Sequence, residues 1–264
     1  MARTDLTIEG ESAVITAGGS GIGRQIADQL TSAGVNVVIN DVDESALNET
    51  ETVLADNEGD ALTVPGDVSN PEDVEELVET AVGSFGGLDI VVNNVGIAGP
   101  TKPCEEISKE EFLGTIEVNV GGAFNTTKAA IPHLRESDDG RIINISSMSG
   151  KRPLRDRTPY TTSKMGIIGF TRTLAVELGE DEINVNAICP GSVKGPRLDH
   201  VIEGQAESQD RSFEDVEQEF REVSPMNKFV QAEDIADTVL YLCSGRSAKV
   251  TGQDLNVTAG VAMY

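Results

Sequence analysis

The segment Ala13-Val14-Ile15-Thr16-Ala17-Gly18-Gly19-Ser20-Gly21-Ile22-Gly23 runs from a short apolar stretch into a cluster of glycines, and Arg24–Ala33 continues it with helical spacing. A strand, a tight glycine turn and a helix in that order begin a βαβ unit. The rhythm repeats down the chain. Asn36–Asn40, Leu62–Val64, Leu88–Val92, Arg141–Ile145, Asn184–Ile188 and Asp254–Val257 read as further strands. Ile22–Ala33, Pro71–Ser84, Phe112–Leu134 and Tyr160–Leu178 read as helices between them. Ser69-Asn70-Pro71 and Ser108 supply N-cap signals. Runs such as Val37-Val38-Ile39 are apolar throughout, as strands covered on both faces should be. The pattern predicts one α/β domain over residues 1–264, a doubly wound, mainly parallel seven-stranded sheet with helices on both faces. Residues 195–230 break the rhythm with a long, acid-rich polar insert.

Composition narrows the field. The 264 residues carry 45 acidic and 20 basic side chains, a formal net charge of −25. Hydrophobic residues make up 38% and are spread along the whole length, enough for a core. So negative a surface argues against nucleic acid and anionic membranes, which need basic footprints. No apolar run reaches the roughly 18 residues of a transmembrane helix. Met1–Thr16 lacks a basic region followed by an apolar stretch, so no secretory signal is expected there. Cys104, Cys189 and Cys243 form neither a disulfide framework nor a metal pair. With only His133 and His200, no metal site and no histidine-based triad are expected. The expected location is the cytoplasm. Lysine is only 8 of 264 residues and aromatics 4%. Such self-repulsion needs screening, which points to a salt-rich, halophilic cytoplasm; the alternative is an ordinary acidic protein.

Glycines between a strand and a helix let a pyrophosphate approach the backbone at the helix N-terminus. The expected contacts are Ala17, Gly19, Ser20, Gly21 and Ile22; the alternative is a plain turn without ligand. Asp41 ends the second strand, 18 residues past Gly23. An acid there accepts hydrogen bonds from the adenosine ribose hydroxyls and repels a 2′-phosphate. Ser20 and Val42 offer no positive charge, and Arg24 lies inside the helix start. The reading is NAD(H) in preference to NADP(H), with Asp41 as a cap for the next helix as the other possibility.

Tyr160-Thr161-Thr162-Ser163-Lys164 places a phenol and an ammonium on one helix face. The ammonium favours the phenolate, which makes a general acid/base without histidine. Taken alone, the pair is also compatible with an ordinary surface contact. Ser147 precedes Tyr160 by 13 residues and follows the strand Ile142–Ile145, at the end of the sheet where ligands bind in open α/β folds.

Together these residues resemble the short-chain dehydrogenase/reductase family in its single-domain form, over roughly residues 8–260. The glycine turn, Asp41, Asp67-Val68, Asn93-Asn94-Val95-Gly96, Asn119, Ser147, Tyr160/Lys164 and Pro190-Gly191 occur in the family's order. The resemblance implies a Rossmann-like fold and hydride transfer between a nicotinamide cofactor and a secondary alcohol or ketone. It implies that Tyr160 exchanges the proton, Lys164 tunes Tyr160 and holds the nicotinamide ribose, and Ser147 binds the substrate oxygen. It gives Asn119 a water that relays protons to Lys164. It assigns Asp67 and Val68 to adenine, Asn94 and Gly96 to the adenosine ribose side, and Pro190 and Val193 to the carboxamide. It also implies a homotetramer. Departures from the family pattern are Ala17 for the first glycine, Val95 for the usual Ala, Gly195 for a hydroxyl residue, and Asn256–Gly260 for the usual acid–glycine ending.

Residues 140–164 hold Arg141, Lys151, Arg152, Arg155, Arg157 and Lys164 against Asp156 alone, a basic island in an acidic chain. Lys194 and Arg197 follow the Pro190-Gly191 turn. Arginine forks suit carboxylates, so Arg155, Arg157 and Arg197 are candidates for binding an anionic substrate; the alternative is salt bridges to a neighbouring subunit. The 195–230 insert reads as a substrate lid with Phe213, Phe220 and Met226 as apolar contacts, or as a solvated helix pair. Cys189 reads as a core residue, His133 as surface, and His200 as lid or surface. The expected substrate is small and hydroxylated or anionic: a sugar, a sugar acid or a hydroxy acid. A 3-oxoacyl reductase acting on a carrier protein or coenzyme A thioester is the closest alternative. A non-catalytic NAD-binding regulator is the alternative of another class. An epimerase or dehydratase would need a longer C-terminal region.

Overall fold

The computed structural model describes Ile8 and residues 12–264, with the side chains at 197, 200, 204, 205 and 208 outside the description. The N-terminal signal reading and the side chains of Arg197 and His200 therefore lie outside the described residues, apart from Ile8 and residues 12–16. Seven strands form one sheet: β1 (Ser12–Thr16), β2 (Asn36–Asp41), β3 (Ala61–Pro65), β4 (Ile90–Asn93), β5 (Arg141–Ile145), β6 (Asn184–Pro190) and β7 (Asp254–Val257). Their order is β3-β2-β1-β4-β5-β6-β7. Every pairing is parallel, so the sheet is wholly rather than mainly parallel. The order reverses direction between β1 and β4, which opens a crevice at the carboxyl ends of those strands.

Side chains alternate across the sheet. Ala13 and Ile15 of β1 join one core layer with Ile26 and Leu30 of α1 (Gly21–Ser32) and Leu47 and Leu54 of α2 (Glu44–Leu54). Val14 joins the other layer, with Leu77 and Val78 of α3 (Pro71–Phe85). Caps set the helix starts. Asn70 accepts from the Glu72 amide, with Pro71 in the first turn. Ser108 and Glu111 form a reciprocal capping box on α4 (Lys109–Ile116).

The stretch expected as one helix over Phe112–Leu134 is broken. Glu117–Gly121 is a π turn between α4 and α5 (Gly122–Leu134). One extra residue per turn rotates Asn119 inward, where it is 1% exposed. The next helix, α6 (Thr158–Glu177), packs Leu174 and Ala175 into the layer of Val14.

The insert folds as α7 (Pro196–Gln209) and α8 (Phe213–Glu222), with their own small core of Ile202, Ala206 and Val216. Its two ends are pinned together. Val193 bridges Val230, the Lys194 amide donates to the Val230 carbonyl at 2.8 Å, and the Val230 amide donates to the Ser192 carbonyl at 3.0 Å. The last helix, α9 (Ala232–Cys243), packs Ile235 and Val239 into the core layer of α1.

Candidate active site

The glycine turn is dictated by close contacts. A side chain on Gly18 would overlap Ile39, one on Gly19 would reach 2.8 Å from Asp41 Oδ2, and one on Gly23 would strike the Ala17 carbonyl. Ala17 stands where the backbone turns left-handed, with φ of 52°. Ser20 sits before α1 without a side-chain cap, and the first turn of α1 carries no acid. Nothing lies within 4 Å of where a side chain on Gly21 would sit, at the first residue of α1, which fits the approach of a dinucleotide pyrophosphate. Arg24 braces the turn from behind: its Nε and Nη2 donate to the Gly19 carbonyl at 3.1 and 2.5 Å, and Nη2 pairs with Glu49 at 3.1 Å.

Asp41 does not cap α2; Asp43 does, accepting from the Ser45 and Ala46 amides. Asp41 Oδ2 instead accepts from the Gly19 amide at 3.0 Å. Asp67 is exposed, and its Oδ1 accepts from the Ser69 amide and hydroxyl at 2.9 and 2.8 Å. Val68 is buried, against the bare α-carbon of Gly122. Asn94 ties β4 to the glycine turn: its Nδ2 donates to the Thr16 and Ala17 carbonyls at 3.2 and 2.9 Å.

A cleft of about 570 Å³ opens at the carboxyl ends of the strands. Ala17, Ser20, Gly21, Ile22, Asn94 and Gly96 line one side; Ser147, Tyr160, Lys164, Pro190 and Val193 line the other. Gly19, Asp41, Asp67, Val68 and Asn119 are not among the residues lining it. Gly19 and Asp41 meet behind the turn, while Val68 and Asn119 are buried.

Tyr160 and Lys164 share a face of α6, with Lys164 Nζ 5.9 Å from the Tyr160 ring centroid. Lys164 is 3% exposed, and its Nζ donates to the Ile145 carbonyl at the end of β5, 2.9 Å away. Gly96 makes room for it, since a side chain there would come 2.8 Å from Nζ. Ser147 begins the turn after β5, where its Oγ accepts from the Ser149 amide at 3.1 Å. Asn119 locks the wall beside them: Oδ1 accepts from the Ile97 amide at 2.7 Å, and Nδ2 donates to the Ile97 carbonyl and Ser163 Oγ at 3.0 and 2.9 Å.

The basic island disperses in three dimensions. Arg141 is buried against Asp139 and Asn184. Lys151 Nζ reaches β7, 2.8 Å from Asp254 Oδ2. Arg155 is exposed and pairs with its neighbour Asp156 at 3.5 Å. Arg157 lies over the Tyr160 ring, its Cζ 4.7 Å from the centroid. Lys194 lines the cleft and is gripped by Asp199 of α7 at 2.6 Å and Glu217 of α8 at 2.7 Å. Those two carboxylates hold its ammonium above the usual lysine range.

The cleft also takes in Met148, Ser149, Leu198 and Val201, which spacing along the chain does not single out. Leu198 and Val201 arrive on α7, carried there by the folding of the insert. Of the residues expected on the insert, Phe213 and Phe220 pack on its own small core, and Met226 is exposed.

Among the described residues no cluster of His, Cys, Asp and Glu has the makings of a metal site, and no helix is long and apolar enough to cross a membrane.

A family model described as enoyl-(acyl carrier protein) reductase matches residues 16–262. The chain is 34% identical over 253 residues to the D-beta-hydroxybutyrate dehydrogenase of Rhizobium meliloti (strain 1021), covering 95% of this chain and 98% of that one. The L-sorbose reductase of Gluconobacter frateurii, solved with NADPH and L-sorbose, matches with a TM-score of 0.93 at 30% identity, over 99% of this chain and 100% of that one. NAD+-bound xylitol dehydrogenase matches with a TM-score of 0.90 at 29% identity, over 96% and 99% of the two chains. These relatives act on alcohols and ketones, and they include both NAD and NADPH complexes. Likeness in sequence and in structure runs almost from end to end, through the glycine turn and the Tyr160–Lys164 helix alike, so this chain belongs to the short-chain dehydrogenase/reductase family and is an oxidoreductase.

Proposed function

We propose that this enzyme interconverts a small hydroxylated secondary alcohol and its ketone with NAD(H) in preference to NADP(H). The observation that carries the reading is the meeting of Ser147, Tyr160 and Lys164 in one cleft with the glycine turn. The nicotinamide cofactor supplies the hydride chemistry when bound. Ala17, Gly19, Ser20, Gly21 and Ile22 hold its pyrophosphate, and Asp41 its adenosine ribose. Asp67 and Val68 border the adenine, Asn94 and Gly96 the ribose side, and Pro190 and Val193 the carboxamide. In the chain itself, Tyr160 gives a proton to the ketone oxygen or takes one from the alcohol. Lys164 favours the phenolate by its charge and holds the nicotinamide ribose. Ser147 hydrogen-bonds the reacting oxygen. Asn119 fixes the wall that carries Ile97 and Ser163 and, as in the family, holds a relay water.

The charged residues described in the cleft lining are Lys164 and Lys194, and Lys194 is matched by two carboxylates. This supports a neutral sugar or polyol ahead of a sugar acid or hydroxy acid, with Arg155, Arg157 and Arg197 as the residues that would serve an acid. Helices α7 and α8 act as the lid, since Leu198 and Val201 face the cleft from α7. A 3-oxoacyl reductase is the second reading, favoured by Met148, Leu198 and Val201 along the cleft. Exposed Leu113, Phe124 and Met165 on α4, α5 and α6 support a homotetramer. The net charge of −25 supports a salt-rich cytoplasm.

The test is a panel of sugars, polyols, hydroxy acids and 3-oxoacyl thioesters, with each cofactor, in concentrated KCl. NADH formation with a polyol or sugar, abolished in Tyr160→Phe, is the expected result. Turnover of 3-oxoacyl thioesters alone would transfer the assignment to the second reading. Undiminished turnover by Tyr160→Phe would end both. Melting at about 0.1 M and about 2 M KCl tests the salt reading, and equal stability at both would refute it.

A further inference from the structure

Tyr160 is flanked by two cations. Lys164 stands one turn along α6, with Nζ 5.9 Å from the ring centroid. Arg157 stands at the N-cap position of the same helix, and its guanidinium carbon is nearer, 4.7 Å from that centroid. A second segment fixes the arginine: Nη1 donates to Thr101 Oγ1 at 3.1 Å, in the loop after β4. The next residue along closes the same junction, since the Lys102 amide donates to the Asp156 carbonyl at 3.0 Å. Arg157 is half-buried, so water screens its charge only in part.

A cation over a phenol is attracted by the electron-rich face of the ring. The attraction grows when the hydroxyl loses its proton and the ring system becomes negative. We propose that Arg157 is a positioning residue for Tyr160: it holds the phenol against the cleft and, together with Lys164, draws phenolate formation down to working pH. This rests on the reading of Tyr160 as the proton carrier. The other lysine of the described cleft lining and the acid beside Arg157 are already matched. Lys194 is held by Asp199 and Glu217, and Asp156, beside Arg157 in the chain, pairs with Arg155. Of the three arginines that the sequence offers to a substrate carboxylate, Arg157 is placed at the phenol.

The chain has three tyrosines and no tryptophan. Tyrosinate absorbance in the ultraviolet therefore follows the phenols directly, and subtraction of Tyr160→Phe isolates Tyr160. In Arg157→Gln the Tyr160 step should move up by about one pH unit, the equivalent of about 1.4 kcal/mol. Arg157→Lys should move it by less, and circular dichroism matching the wild type confirms that both variants fold. The acidic limb of kcat/KM for alcohol oxidation should move by the same amount, with KM for a neutral alcohol little changed. An unmoved Tyr160 step in Arg157→Gln and Arg157→Lys overturns the proposal. An unmoved step joined to a raised KM for carboxylate substrates alone would overturn it too, in favour of substrate binding. Wild-type turnover by Tyr160→Phe would defeat the proton-carrier reading, while the titration would still decide whether Arg157 acts on the phenol.

Discussion

The Asp41 carboxylate accepts a hydrogen bond from the Gly19 amide at 3.0 Å, so the end of β2 and the glycine turn are held as one unit. The same acid that is expected to meet the ribose also shapes the turn expected to meet the pyrophosphate. Asp41→Ala should therefore lower the NAD/NADP ratio of kcat/KM by about tenfold or more, the worth of one charged hydrogen bond. Steady-state kinetics with both cofactors measures it, and an unchanged ratio would refute the cofactor assignment.

Ala17 holds a left-handed backbone at φ 52°. That conformation costs an alanine about 1 kcal/mol or more that glycine does not bear. Glycine in turn adds freedom to the unfolded chain, which offsets part of the gain. Ala17→Gly should raise stability by about 0.5–1 kcal/mol in denaturant unfolding.

Asp254 joins two cations across the sheet edge, Lys151 at 2.8 Å and Arg172 at 2.8 Å. Burial works against its charge, but hydrogen bonds from Lys151 and Arg172 outweigh it and keep the carboxyl below the usual carboxylate range. A depressed folded-state value means that this contribution is present above the unfolded carboxylate's range and is lost as pH falls through the folded value. Asp254→Asn should cost about 1–3 kcal/mol at neutral pH and little in strong acid. Parallel melting curves for wild type and variant down the acid range would show the gap closing; a constant gap would contradict the pairing.

Cys243 is fully buried, and burial pushes its thiol up to about 12. Burial likewise raises Cys189, while Cys104 is exposed. Thiolates are the reactive species. Alkylation of the native protein should modify Cys104 alone, and all three should react in denaturant.

Gly96→Ala brings a methyl group 2.8 Å from Lys164 Nζ. The ammonium is the far end of a side chain, so it yields before the backbone does. Activity should fall at least tenfold through misplacement of the lysine, while the melting temperature stays within a few degrees. A large stability loss with unchanged kcat would count against the arrangement.

Much of this was legible in the chain. Each strand lies within about two residues of its expected place, because a short apolar run bounded by turn residues is a local property. Tyr160, Lys164 and Ser147 declared themselves by spacing and by position at a strand end. The π turn at Glu117–Gly121 did not. Apolar spacing across Phe112–Leu134 satisfies a continuous helix, and the inward contacts of Asn119 that accompany the break, to Ile97 and Ser163, lie 22 and 44 positions away along the chain. Leu198 and Val201 were equally hidden, since only the fold of the insert brings them to the cleft.

The glycine turn with which the chain begins its fold, the alternation of strand and helix, and the Tyr160–Lys164 pair are written in the sequence alone. Each rests on residues a few positions apart, where backbone geometry alone sets which side chains share a face. Which charges meet was decided only by the tertiary structure. Residues 140–164 read as a basic island, yet Lys151 finds the backbone carbonyl of Asp254 103 positions away, and Arg157 turns over Tyr160. Electrostatic partners are selected by distance in space and by burial. Neither quantity exists until the sheet has closed and the insert has folded against it.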